Sequence, residues 1–219
     1  MKRAGDVVVS GLAVLVLTPV ALVVVAAVVA SLGLPIFFSD ERVGLAGSPI
    51  AIRKLRTMTN EKDDRGEFLS DAQRLSLVGR FIRALSLDEL PQLVSVLRGE
   101  MSLVGPRPLP TRYFERYSPE QARRHEVKPG ITGLAQVSGR NLLSWDEKFA
   151  LDVWYVDNWS LWLDVKILFR TLWQVMKRTG IQADGEATMA EFLGTAGVSG
   201  TQVVARPAGQ SDRAGQGGR

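Results

Sequence analysis

The chain contains no cysteine and a single histidine, His125. The first absence excludes disulfide scaffolds, thiol nucleophiles and Cys-ligated zinc. The second leaves any His-based triad or multi-His metal site to be built around one ring. Internal repeats, a Walker A loop and a Gly-x-Gly-x-x-Gly loop are also missing. Charge is absent over one long stretch, from Val7 to Phe38. What remains is a 219-residue chain of net charge +4 and pI near 9.6. That length suits one globular domain with appendages, and that charge suits a phosphate-rich partner or an anionic membrane surface.

The uncharged stretch is longer, as a helix, than the roughly 30 Å hydrocarbon layer requires. A cleaved signal peptide, which also begins with basic residues such as Lys2 and Arg3, is the minor alternative, since its apolar region is shorter and ends in a small-x-small site. Thr18-Pro19 falls in its middle, where proline removes a backbone donor and the threonine hydroxyl can satisfy a freed carbonyl. Both flanks are basic: Lys2 and Arg3 before it, Arg42, Arg53, Lys54 and Arg56 after it. A spanning helix normally biases positive charge to one side. The pattern therefore predicts a bent hairpin that enters and leaves on one face, with a kinked, tilted single span as the alternative. With positive charge flanking membrane-active segments instead of an exposed recognition element, nucleic acid is not an expected partner.

The division expected is a membrane segment over 1–38, a soluble domain over 39–183 and a disordered tail over 184–219, rich in Gly, Ala, Ser and Gln. Within the soluble part, residues 39–59 read as a turn-rich segment followed by a short strand at Ile50-Ala51-Ile52, then a basic cluster of Arg53, Lys54 and Arg56. Such a cluster is either a solvated face or a phosphate-binding one. Residues 60–71 are polar and read as a loop. Leu75, Val78, Phe81, Ile82 and Leu85 follow at helical spacing, with Arg83 off that apolar row.

Asp88 and Glu89 stand side by side before Pro91, which is tolerated in a first helical turn and so places a helix start near Asp88, with Gly99 as its end. Asp88 could be an N-cap, and Ser86-x-x-Glu89 matches a capping box. The two frames start the helix at different residues, so capping accounts for only one of the acids. A carboxylate here can also attack phosphorus or ligate magnesium. Downstream, Arg107 is clamped between Pro106 and Pro108, a restricted backbone under a guanidinium suited to two-pronged phosphate recognition, or an ordinary loop arginine.

"KPGITG" (128–133) reads as a turn and "LAQVSG" (134–139) as strand-like. His125 reads as a lone surface or turn histidine. From Asp146 to Gly180 the pattern is helical, with Ser160 a cap and an apolar face of Leu161, Val165, Leu168, Leu172 and Met176. Trp154, Trp159, Trp162 and Trp173 alternate with Lys166, Arg170 and Lys177, a composition suited to a helix lying in the headgroup layer or to ordinary core packing.

The runs "KLRTM" (54–58), "SLDELPQLVSVLRGEMSLVGPRP" (86–108), "VKPGITGLAQVSGRN" (127–141) and "DVWYVDNWSLWLDVKIL" (152–168) resemble the bacterial sugar transferases, the monotopic phosphoglycosyl transferases that start lipid-linked glycan assembly. The resemblance covers about residues 1–182. It implies an α+β, mostly helical fold: a re-entrant membrane helix hairpin plus a small cytoplasmic catalytic domain with interfacial amphipathic helices, at the inner face of the bacterial plasma membrane. It implies a two-step transfer. Asp88 attacks the β-phosphate of a UDP-sugar, UMP leaves, and a polyprenyl phosphate, usually undecaprenyl phosphate, takes the sugar-phosphate from the enzyme. Mg2+ is the implied cofactor, with Asp88 and Glu89 as ligands, and Glu89 is further implicated in proton handling or acceptor activation. Arg83 and Arg107 match phosphate- or nucleotide-contacting positions, Lys54 and Arg56 less specifically, and Asp157 is a site residue by resemblance alone. Thr18-Pro19 stands where the family breaks its membrane helix at a Ser-Pro. The rival expectation is an inactive relative that docks later glycosyltransferases; contacts with such enzymes, or a homo-oligomer, belong to either reading.

Overall fold

A computed structural model describes residues 1–139, 142–177 and 191–194. Helix α1, Lys2–Leu32, is one continuous element of 31 residues with Pro19 inside it, long and apolar enough to cross a membrane. The break expected at Thr18-Pro19 is therefore not a break in the helix. Thr18 Oγ1 donates to Val14 O at 2.6 Å, so the hydroxyl turns back on the preceding turn beside the proline's missing donor.

Both ends of α1 are fastened to the same folded unit. At its start, Lys2 Nζ lies 2.5 Å from Asp164 Oδ2 and 3.2 Å from the Tyr155 hydroxyl. Asp6 accepts from Ser102 Oγ at 2.9 Å and from the Leu103 N–H at 3.2 Å. At its end, the buried Arg56 guanidinium donates to the carbonyls of Leu32, Gly33 (2.8 Å) and Leu34 (3.3 Å). Leu32 O is one of the helix's own orphan acceptors, and the Gly33 and Leu34 carbonyls follow directly at its end, so Arg56 acts as a tertiary C-cap. Between the two anchors Leu12, Leu15, Val16, Val20, Leu22 and Val23 are exposed.

Strands β1 (Phe37–Val43) and β2 (Pro49–Leu55) form an antiparallel hairpin with Phe38 opposite Lys54 and Ser39 opposite Arg53. The turn-rich reading of "SDERV" is thus corrected: it is strand, hidden from pattern analysis because only Val43 in β1 is buried. Helices α2 (Asp71–Arg74) and α3 (Leu77–Ala84) follow. Next come α4 (Gln92–Arg98), closed by Gly99 at φ 87°, and strand β3 (Ser102–Val104). After α5 (Pro119–Ala122), strand β4 (Gly130–Thr132) pairs parallel to β3, with Ser102 opposite Gly130 and Val104 opposite Thr132. Arg3 caps the far end of α4, donating to Val96 O and to Leu97 O at 2.7 Å.

"LAQVS" is a short helix, α6 (Leu134–Ser138), not a strand; Leu134, Ala135 and Val137 are all buried, a helical and not an alternating pattern. Helices α7 (Trp145–Asp157) and α8 (Leu161–Lys177) complete the order, with Ser160 Oγ accepting from the Leu163 N–H at 3.1 Å as the cap of α8.

The principal core joins Ile52, Leu93, Val96, Met101, Val104, Tyr155 and Ile167, with Ala13, Val14 and Leu17 of α1 packed on it. A second cluster joins Val24 and Val28 of α1 to Leu55 and Ile82. Helix α8 turns Asp164 and Ile167 inward and exposes Trp162, Val165, Phe169, Leu172, Trp173 and Met176. Lys166 lies over the Trp162 ring and Lys177 over Trp173, an arrangement suited to the headgroup region.

Candidate active site

The acidic pair does not cap a helix. Asp88 and Glu89 lie in a single 3₁₀ turn, Leu87–Glu89, and α4 begins three residues later at Gln92. Both capping frames are therefore corrected, and Ser86 makes no side-chain cap bond. Ser86 instead adopts the left-handed conformation, φ 55° and ψ 25°. That conformation is costly for a residue with a Cβ and is characteristic of functional turns. It bends the chain so that the two acids enter a cluster of cations contributed by three other segments.

Lys54, at the end of β2, places Nζ 2.6 Å from Glu89 Oε1. Arg107 Nη2 reaches the same oxygen at 3.2 Å while nearly half of its side chain is exposed. Arg83, in the last turn of α3, donates Nε to Thr57 Oγ1 at 2.9 Å and lies close enough to Asp88 to act on its charge. Gly79 makes that approach of α3 to the Thr57 segment workable: a Cβ there would sit 2.0 Å from Thr57 O. Five of the residues singled out in the sequence, Lys54, Arg83, Asp88, Glu89 and Arg107, thus meet at one turn.

Their environments push the two carboxyls apart. Burial raises the Asp88 pKa and the Glu89 charge raises it further, opposed by Lys54 and Arg83. Burial would raise Glu89 as well, but Arg107 and Lys54 outweigh it and hold its carboxyl at about 2. Lys54 is drawn below its ordinary range by burial and by Arg107, with Glu89 opposing. Glu89 is thereby a neutralised organiser of cations. Asp88, buried and more basic than an ordinary aspartate, has the profile of a nucleophile.

The Arg107 loop is held from below by residues that local sequence patterns did not reveal. Arg124, with a side chain 1% exposed, donates Nη2 to Arg107 O at 2.7 Å and to Asp152 Oδ2 at 2.7 Å, with Nε on the same oxygen at 3.0 Å. Burial raises Asp152 and Arg124 lowers it. On the other side of the loop, Gly105 N–H donates to Thr132 O and Gly130 N–H to Pro106 O. A Cβ on Gly105 would lie 2.4 Å from Lys128 O; the glycines thus let β3 and β4 approach where the Pro-Arg-Pro turn leaves the sheet.

Two of the expected substrate residues lie elsewhere. Arg56 caps α1 as described. Asp157 ends α7 in an exposed ion pair with Arg123. His125 is also not a surface residue. It is buried between Phe114 and Tyr117, and burial together with Arg124 lowers its pKa to about 4.

Among the described residues no group of three or more His, Cys, Asp or Glu surrounds a common point. Asp88 and Glu89 nevertheless offer the hard oxygen donors that Mg2+ prefers, and such ions commonly take only one or two carboxylates and complete their shell with substrate phosphate and water. The donor set fits an ion that arrives with a diphosphate.

Residues 1–178 match the family model described as bacterial sugar transferase. The chain is 50% identical over 199 residues to a Bacillus subtilis protein named uncharacterized sugar transferase EpsL, covering 91% of this chain and 98% of that one. It is 43% identical over 183 residues to the UDP-glucose:undecaprenyl-phosphate glucose-1-phosphate transferase of Caulobacter vibrioides, covering 78% and 68%. It is 40% identical over 197 residues to the undecaprenyl-phosphate galactose phosphotransferase of Salmonella typhimurium, covering 82% of this chain but 41% of that protein. The chain thus spans nearly all of the Bacillus relative and about two fifths of several longer ones.

Proposed function

Because this chain belongs to the bacterial sugar transferase family, we propose that it transfers a sugar-1-phosphate from a UDP-sugar to undecaprenyl phosphate through an aspartyl-phosphosugar intermediate on Asp88. The observation that carries this reading is the split between two adjacent carboxyls, one held ionised by Lys54 and Arg107 and the other buried and made more basic. The names of the relatives supply the donor and acceptor classes.

In the first step an Asp88 Oδ forms a bond to the β-phosphorus of the donor, the bridging P–O bond breaks, and UMP departs with that oxygen. In the second, a phosphate oxygen of the polyprenyl acceptor attacks the same phosphorus and the Asp88 carboxylate is released, leaving a polyprenyl diphosphate sugar. Phosphoryl transfer asks little covalent chemistry of a protein beyond positioning and charge. Arg107, half exposed beside Glu89, and Arg83, braced on Thr57, are placed to take the diphosphate oxygens on either side of Asp88. Lys54 holds Glu89, so that the carboxylate organises Arg107 instead of repelling the donor. Mg2+ held by Asp88 and Glu89 with the diphosphate would neutralise charge on the leaving UMP. No histidine is required.

The anchoring of α1 supports a monotopic arrangement. Its start is tied to Asp164 and Ser102 and its end to Arg56, so both ends belong to the side that holds the catalytic unit, while the exposed apolar middle enters lipid. With a cytoplasmic nucleotide as donor and a membrane lipid as acceptor, that side would face the cytoplasmic leaflet. The exposed face of α8 would rest in the same headgroup layer.

The reading is tested by UMP release from a panel of UDP-sugars with undecaprenyl phosphate. Wild type releases UMP with at least one donor, and Asp88→Asn loses at least about three orders of magnitude, the scale expected when a covalent nucleophile is removed. Equal release by both proteins contradicts the mechanism. No release by either, across the panel, favours the scaffold.

A further inference from the structure

The chain's apparent tail returns to the catalytic unit. Phe192, in a Gly- and Ala-rich stretch, is 3% exposed. Its ring lies 4.9 Å edge-on from Phe149 and 5.8 Å, nearly parallel, from Tyr117. Its N–H donates to the Tyr113 hydroxyl at 3.2 Å and its carbonyl accepts from Arg116 at 2.5 Å. Glu191 adds an exposed clasp with Arg116 at 2.8 Å and Arg112 at 3.1 Å. Of the expected tail over 184–219, Glu191–Gly194 are described and make these contacts; residues 184–190 and 195–219 lie outside the described residues.

The rings that receive Phe192 are also the rings that flank Arg124. The Arg124 guanidinium lies 5.5 Å from the Phe149 centroid and 5.7 Å from that of Tyr117, and its Nη1 is 3.4 Å from the Tyr117 hydroxyl. Arg124 in turn holds the Arg107 carbonyl. Phe192 is thus two packed layers from the backbone of the exposed arginine at the acidic turn. Buried aromatic contacts of this kind transmit position because interiors are close-packed, and loss of one ring leaves its neighbours without partner atoms on one side.

We propose that Glu191-Phe192 is a positioning latch: by filling the ring cluster, Phe192 fixes Arg124 and through it sets Arg107 at the donor phosphates, so that donor affinity depends on a seated C-terminal segment. The proposal rests on the assignment of Arg107 to the donor phosphates. Phe192 touches neither substrate nor reacting atoms.

The experiment is a double-mutant cycle on the full chain, reading UMP release against concentration of a UDP-sugar that wild type turns over. Arg107→Ala alone tests the underlying assignment: an unchanged donor KM rejects the role of Arg107 itself. Given an impaired Arg107→Ala, Phe192→Ala is expected to raise donor KM about tenfold with kcat within about threefold, and to add little in the Arg107→Ala background. Phe192→Met, which keeps apolar bulk, is expected to restore KM to within about twofold. Unchanged KM in Phe192→Ala, or an equal loss in both backgrounds, overturns the latch while leaving the Arg107 assignment standing. Should Phe192→Ala not fold, Glu191→Lys decides. It releases the exposed clasp without touching the rings; a raised donor KM supports the latch and a wild-type KM overturns it.

Discussion

Lys54 Nζ and Glu89 Oε1 are 2.6 Å apart, which ties the open end of the β-hairpin, where Lys54 pairs with Phe38, to the acidic turn and makes Glu89 the counter-charge for two cations. Removing that charge by Glu89→Gln leaves Lys54 and Arg107 facing each other. The cost lies between that of a surface pair, about 1 kcal/mol or less, and that of a buried one, about 3–5. We expect on the order of 2 kcal/mol, read by denaturant unfolding in detergent or nanodiscs. Because the folded Glu89 carboxyl is depressed to about 2 from an ordinary 4.5, its contribution is present above pH 4.5 and fades as pH falls toward 2. The gap between wild type and variant should close over that window, and a gap that persists at pH 2 contradicts the assignment.

The same substitution acts on the nucleophile. Glu89 is one of the two influences that raise the Asp88 pKa, burial being the larger, while Lys54 and Arg83 oppose them. Neutralising Glu89 removes the repulsion and leaves the cations unopposed, so Asp88 ionises at lower pH. The acid limb of the pH profile of UMP release is expected to move downward in Glu89→Gln, whatever the loss in maximal rate. An acid limb that stays in place or moves upward contradicts the electrostatic account.

His125, buried beside Arg124, has its pKa lowered to about 4. A depressed histidine contributes stability above its unfolded value of about 6.5 that is lost as pH falls through about 4. The full effect is on the order of 3 kcal/mol, and His125→Phe should remove that dependence on pH. As the chain has one histidine, its imidazole resonances report the titration without overlap; a midpoint near 6.5 would show the ring to be solvated.

Topology is testable because the chain lacks cysteine. Single cysteines at Ala4, in the first turn of α1, and at Asn60, beyond its end, bracket the membrane segment, and a membrane-impermeant thiol reagent should reach both from the cytoplasmic side of oriented vesicles. Labelling of the two positions from opposite sides contradicts re-entry.

Much of the site was legible in the sequence because its chemistry is local. Two acids just ahead of Pro91, an arginine between two prolines, and a basic cluster after the membrane segment are each readable within a few residues. The cap at Ser160 and the stop at Gly99 were legible for the same reason. The rest depends on contacts between distant segments. Arg124 and Asp152 are 28 residues apart and have no shared pattern; only folding shows that they carry the Arg107 loop. Arg56 looked like a phosphate ligand because its neighbours are basic, yet the carbonyls at the end of α1 claim it. Asp88 looked like an N-cap because the 3₁₀ turn that displaces the helix start depends on a left-handed Ser86, which serine's propensity does not announce. Phe192 was hidden by the composition around it, since one aromatic in a Gly- and Ala-rich stretch offers no periodicity.

The most direct measurement is intact-mass analysis of purified full-length chain incubated with donor alone. With a UDP-sugar that supports turnover, a mass increase equal to the sugar-phosphate should appear together with about one equivalent of UMP, should map to the peptide containing Asp88, and should disappear on adding undecaprenyl phosphate. If no adduct forms and UMP is released only when donor and acceptor are both present, the Asp88 nucleophile is contradicted.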